Sequence, residues 1–73
     1  MNTTFGGFGQ ADHKGRDVIT SSPILIVCSN IDRALGKARE FCLMAYPVES
    51  GYSHHIVMLV GLDGDTRKWE AQE

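Results

Sequence analysis

Apolar residues are concentrated along this chain in two dense runs separated by one periodic stripe. Ile24-Leu25-Ile26-Val27-Cys28 is short, largely β-branched and apolar at every position, which predicts a strand. A second run, from about His54 to Leu62 with Ile56 to Val60 at its centre, predicts another. Between them Ile31, Ala34, Leu35, Ala38, Phe41, Cys42 and Ala45 recur at spacings of three and four, forming a stripe roughly 120° wide on a helix. Ser29 or Asn30 can accept a bond from a free amide at its start, and Pro47 limits its end, so the helix is expected over Ile31 to Met44.

Weaker signals fill in the rest. Asp17 to Thr20 reads as extended and is interrupted by Ser21-Ser22-Pro23, because proline donates no ladder bond. Tyr46 to Ser50 reads as a short extended piece. Asp63-Gly64-Asp65 predicts a hairpin turn, with Thr66 to Ala71 returning antiparallel and bringing Trp69 toward the core. Residues 1–16 hold glycines at 6, 7, 9 and 15 around Phe5 and Phe8, with no clear periodicity, and read as a flexible arm. The expectation is an α+β chain: an arm over 1–16, then a single βαββ domain over 17–73 with one helix packed on a short, mainly antiparallel sheet.

That architecture has a covering problem, since one helix covers one face of a sheet while both strong strands are apolar on both faces. Along the first, Ile24, Ile26 and Cys28 oppose Leu25 and Val27; along the second, Ile56, Met58 and Val60 oppose Val57 and Leu59. The sequence alone does not say which set the helix covers. Leu25, Val27, Val57 and Leu59, with Phe5 and Phe8, are taken as the candidate protein-binding residues. The cover is the arm, a second copy of the chain, or another protein.

Composition narrows the classes. A 73-residue chain buries only about 60% of its unfolded surface, so its core is thin. With 42% hydrophobic and 22% charged residues it is neither a disordered chain nor a membrane span, whose apolar run needs roughly 20 residues. A net charge of −2 gives no general attraction to nucleic acid or anionic lipid. The opening Met1-Asn2-Thr3-Thr4-Phe5-Gly6-Gly7 lacks the basic start and apolar stretch of a secretory leader, which points to the cytoplasm. Cys28 and Cys42 lack zinc-ligand spacing and are expected as reduced core thiols.

The segment Ile24 to Arg33 places strand, Cys28, a short loop, Arg33 and helix in order, and so resembles the phosphate-binding loop of low-molecular-weight tyrosine phosphatases. That resemblance implies a Cys28 thiolate nucleophile with Arg33 gripping a phosphate. The spacing here is Cys-x4-Arg where the family has Cys-x5-Arg, which turns Arg33 by about 100° on its helix, and the loop glycine is missing. His54 and His55, with His13, Asp12, Asp63 or Asp65, are poor metal ligands as a set, because neighbours on a strand point to opposite faces. Asp63-Gly64-Asp65 lacks the remaining ligands of a calcium loop. Arg33 and Lys37 on the helix flank, with Arg67 and Lys68 on the hairpin, form a candidate basic flank for a small nucleic-acid-associated regulatory domain. No cofactor fingerprint, Walker loop or Ser-His-Asp set is visible.

The functional expectation is therefore a non-enzymatic protein-binding module, without cofactor or metal, that binds another protein or a second copy of itself. In size and in lacking catalytic motifs it is similar to phage- or mobile-element-encoded inhibitors, anti-CRISPR proteins among them, that occlude a host protein surface.

Overall fold

The computed structural model describes residues 2–71; Met1 of the expected arm and the last two residues of the expected domain lie outside them. In chain order the elements are β1 (Thr3–His13), β2 (Asp17–Thr20), β3 (Ile24–Cys28), α1 (Ile31–Ala45), β4 (Tyr52–Gly61) and β5 (Thr66–Glu70). The sheet runs β2-β1-β4-β5, and β3 lies in line with β2 along the same side of β1. β1 is antiparallel to β2, β3 and β4, and β5 is antiparallel to β4. One helix on a five-stranded, mostly antiparallel sheet is the expected α+β class. The segment read as βαββ is its C-terminal part, β3-α1-β4-β5.

The N-terminal expectation is corrected. Thr3–His13 is the central strand, joined to β3 and β2 on one side and to β4 on the other. Its glycines mark close approach. A Cβ on Gly7 would overlap the Met58 carbonyl oxygen, and one on Gly9 would stand 3.2 Å from Cys42 Sγ. At Gly7 only glycine lets β4 come this near, at Gly9 it lets the helix sit without displacing Cys42, and with no side chain it also hides the alternation that identifies a strand.

The helix seats small residues on that gap. Ala34, Ala38 and Cys42 are fully buried, Ile31 nearly so, against Phe5, Cys28, Val57 and Leu59, while Leu35, Tyr46 and Trp69 pack around them. Phe41 and Ala45 belong to the predicted stripe yet lie exposed, because the helix contacts the sheet along a narrower line. Asn30 Oδ1 accepts the Arg33 amide at 2.9 Å, capping α1 as its sequence predicts. In the β4–β5 turn Asp63 Oδ1 accepts the Asp65 amide at 3.1 Å and Gly64 takes a φ of 89°, as expected of Asp-Gly-Asp. A 3₁₀ turn at Val48–Ser50 replaces the extended piece expected there. Among the described residues no helix is long and apolar enough to cross a membrane.

Gly7→Ala is expected to cost about 3 kcal/mol or more in urea unfolding, because the added methyl meets backbone that has no room to yield. Gly36 meets nothing within 4 Å, so Gly36→Ala should instead stabilise by up to about 1 kcal/mol. An unchanged midpoint for Gly7→Ala would contradict the close approach of β1 and β4.

Candidate protein-binding face

Strand register decides which side chains share a face. Gly6 pairs with Leu25 on one side and Val60 on the other, Phe8 pairs with Met58, and Thr4 pairs with Val27. Directly opposed residues point the same way, so Val27, Leu25, Phe8, Met58, Val60 and Ile56 stand together on the side of the sheet away from α1. Leu25 is 76% exposed, Val27 60% and Val60 47%, with Phe8 and Met58 each more than a third exposed. Thr4, Thr66 and Lys68 add exposed polar positions to this open face.

The candidate set is therefore split. Leu25, Val27 and Phe8 lie on the open face, whereas Val57 and Leu59 are 0% exposed under the helix and Phe5 is buried beside them. Val57 and Leu59 are core residues and offer a partner no surface. The sequence reading grouped Leu25 and Val27 with Val57 and Leu59, but β1 lies between β3 and β4 and aligns Leu25 with Val60 through Gly6. Met58 and Val60 thus take the places expected of Val57 and Leu59. The apolar side chains at the even positions of β4 were visible in the sequence; their exposure and their alignment with β3 were not.

One end of the open face is polar. The register of β1 and β4 shifts between Gln10 and Asp12, leaving His54 and His55 opposite Ala11 in a β-bulge, with His54 at a φ of 52°. The bulge turns His54 onto the open face, where its Nε2–H donates to Glu70 Oε2 at 2.6 Å and Nδ1 lies 3.6 Å from Asp12. The bond to Glu70, helped by the negative charges of Glu70 and Asp12, raises the His54 pKa above its ordinary value of 6.5. Glu70 is held below its usual range, first by that bond and then by Lys68, whose Nζ lies 3.6 Å away. His55 points to the other side, fully buried, with Nε2–H donating to the Tyr46 carbonyl at 2.6 Å. His13 stacks on Tyr52 at 4.4 Å between ring centroids, which keeps it apart from both. Among the described residues no group of three or more His, Cys, Asp or Glu side chains has the geometry to hold a metal ion.

The four cations of the candidate basic flank are not brought together. Arg67 sits on the helix side, 3.2 Å from Asp32 and 3.7 Å from Asp65, while Lys68, the next residue, points to the open face and Glu70. Arg33 and Lys37 remain on the exposed flank of α1. Cys28 and Cys42 are free, buried thiols. Cys28 packs in the core beside Phe5 and Ile31, and burial raises the pKa of Cys42, whose Sγ lies 3.8 Å from the Gln10 carbonyl.

No protein-family model, curated protein or solved structure matches this chain.

The His54 cluster carries a pH dependence. A histidine whose pKa is raised on folding contributes stability that is complete below 6.5 and is lost as pH climbs through its folded pKa. Glu70, lowered on folding, contributes above 4.5 and loses that contribution as pH falls through its own folded pKa. The melting-temperature advantage of the unaltered chain over His54→Asn, a residue that tolerates the bulge's positive φ, should thus be larger at about pH 6 than at about pH 8.5. Equal advantages at both would show that the ion pairs contribute nothing.

Proposed function

We propose that this chain is a non-enzymatic protein-binding module whose open sheet face docks on another protein and occludes its surface. The supporting observation is the contiguous set Leu25, Val27, Phe8, Met58 and Val60, left bare opposite α1. Together these side chains expose on the order of 400 Å² of apolar surface, comparable with the largest, often functional, patch on a soluble monomer. A strand face framed by Thr4, Thr66 and Lys68 has the apolar centre and polar rim that suit a recognition surface. The free thiols suit a reducing compartment such as the cytoplasm. Occlusion of a host protein by a small phage- or mobile-element-encoded inhibitor, in the manner of anti-CRISPR proteins, is the form of this activity that the chain's size favours.

Affinity capture from a host lysate, compared across three folded variants, tests the reading. Leu25→Glu and Val60→Glu place a charge on the open face, whereas Met44→Glu places one on the exposed back of α1. A partner recovered with the unaltered chain and with Met44→Glu, but depleted at least about tenfold with both open-face variants, is the expected result. The same partners in all three would rule out the open face as the binding surface.

A further inference from the structure

The sheet also ends in an unprotected edge beside a groove. Among the described residues β3 pairs with β1 alone, which leaves its other side open. Gly9 donates its N–H to Ser21 Oγ at 2.9 Å and accepts the Ser21 amide at 2.7 Å, so its polar groups point toward the β2 and β3 side. Backbone groups alternate along a strand, hence Thr3, Phe5 and Gly7 point the same way and bond their partners Cys28, Ile26 and Ile24. Leu25 and Val27 therefore turn their N–H and C=O groups outward, four backbone groups on a strand that carries no charge, bulge or internal proline to block pairing.

Alongside this edge runs a groove of about 330 Å³ between β3 and α1, with Ile24 and Ile26 on one wall and Phe41 and Lys37 on the other. Phe41 is left half-exposed there. No carboxylate lines the groove, and Lys37 has no ion-pair partner among the described residues. Arg33 lies one turn earlier on the same flank and Glu40 one turn later, so the positive charge at the groove is that of Lys37 itself.

We propose that the β3 edge and the α1 flank form a β-augmentation site for an extended peptide segment that carries a carboxylate two residues from a large apolar side chain. The added strand bonds Leu25 and Val27, and its alternate side chains enter the groove, the carboxylate meeting Lys37 and the apolar group meeting Phe41 and Ile26. A second copy is the poorer occupant, since a two-fold pairing of β3 with β3 would bring the two Lys37 flanks together, like charge against like. This site is distinct from the open face: it uses the backbone of Leu25 and Val27, whose side chains belong to that face.

The probe is the blocked peptide acetyl-Thr-Glu-Val-Leu-Val-Thr-amide, titrated into the full chain and followed by the amide resonances. Its Glu and Leu share the groove side. Its two Val residues lie opposite Leu25 and Val27 and supply the bonded N–H groups. The expected result is a saturable shift of the Leu25 and Val27 amides. N-methylation of the two Val residues should weaken binding at least about tenfold, while N-methylation of Glu and Leu, whose N–H groups point away from β3, leaves it nearly unchanged. Lys37→Glu should weaken this peptide about tenfold and reverse the preference toward the version with Lys in place of Glu. Val60→Glu should have no effect, which separates this site from the open face. The proposal is overturned by the absence of binding at millimolar peptide, by equal effects of the two methylation patterns, or by an unaltered preference in Lys37→Glu. It is also overturned if the Leu25 and Val27 amides shift with chain concentration alone, which would make a second copy the occupant.

Discussion

A single helix of 15 residues must cover a five-stranded sheet, and that shortage of cover shapes the whole molecule. The helix spends its contact on a narrow line of Ala34, Ala38 and Cys42 laid over β1 and β4, where Gly9 allows it to approach. Close seating makes a dry core from small residues, because dispersion and burial both gain when the surfaces touch without voids. The same economy leaves the apolar side chains on the other side of the sheet, and the outer edge of β3, uncovered by any other described residue.

The two uncovered regions differ in what they offer. The open face presents side chains: apolar at the Leu25, Phe8 and Val60 end, charged where His54 stands between Asp12 and Glu70. The β3 edge presents backbone, with directional hydrogen bonds and a groove that carries one cation. A face of side chains binds by area and complementarity, whereas an edge binds by register, so the two proposed sites call for different partners. The β5 edge is less open to such pairing, since its Arg67, Lys68 and Glu70 side chains supply the charges that discourage strand addition.

Local signals carried much of this fold into the sequence. The β-branched run of β3, the Asn30 cap, the three-and-four spacing of α1 and the Asp-Gly-Asp turn each reflect interactions between near neighbours. β1 was concealed because its identity rests on what lies across from it: Gly7 and Gly9 are dictated by Met58 and Cys42, far away in sequence. The proposed binding face was half legible for the same reason. Leu25 and Val27 declared an apolar surface, but their alignment with Met58 and Val60 depends on passage through β1, so Val57 and Leu59 were assigned a surface role although they lie in the core. The groove of Lys37 and Phe41 has no sequence signature, since it arises where a helix flank overhangs a strand edge.

Native-state hydrogen exchange of the unaltered chain addresses the central claim most directly, because it reads each backbone amide by the bond it makes. With β1 as the central strand and β3 as an open edge, amides from Phe5 to Ala11 should be among the most protected in the chain. Within β3, Ile26 and Cys28 should be slow and Leu25 and Val27 fast. Exchange of residues 5–11 at the rate of an unstructured chain would contradict the account, returning the Gly-rich segment to a mobile arm and removing the strand on which both surfaces depend.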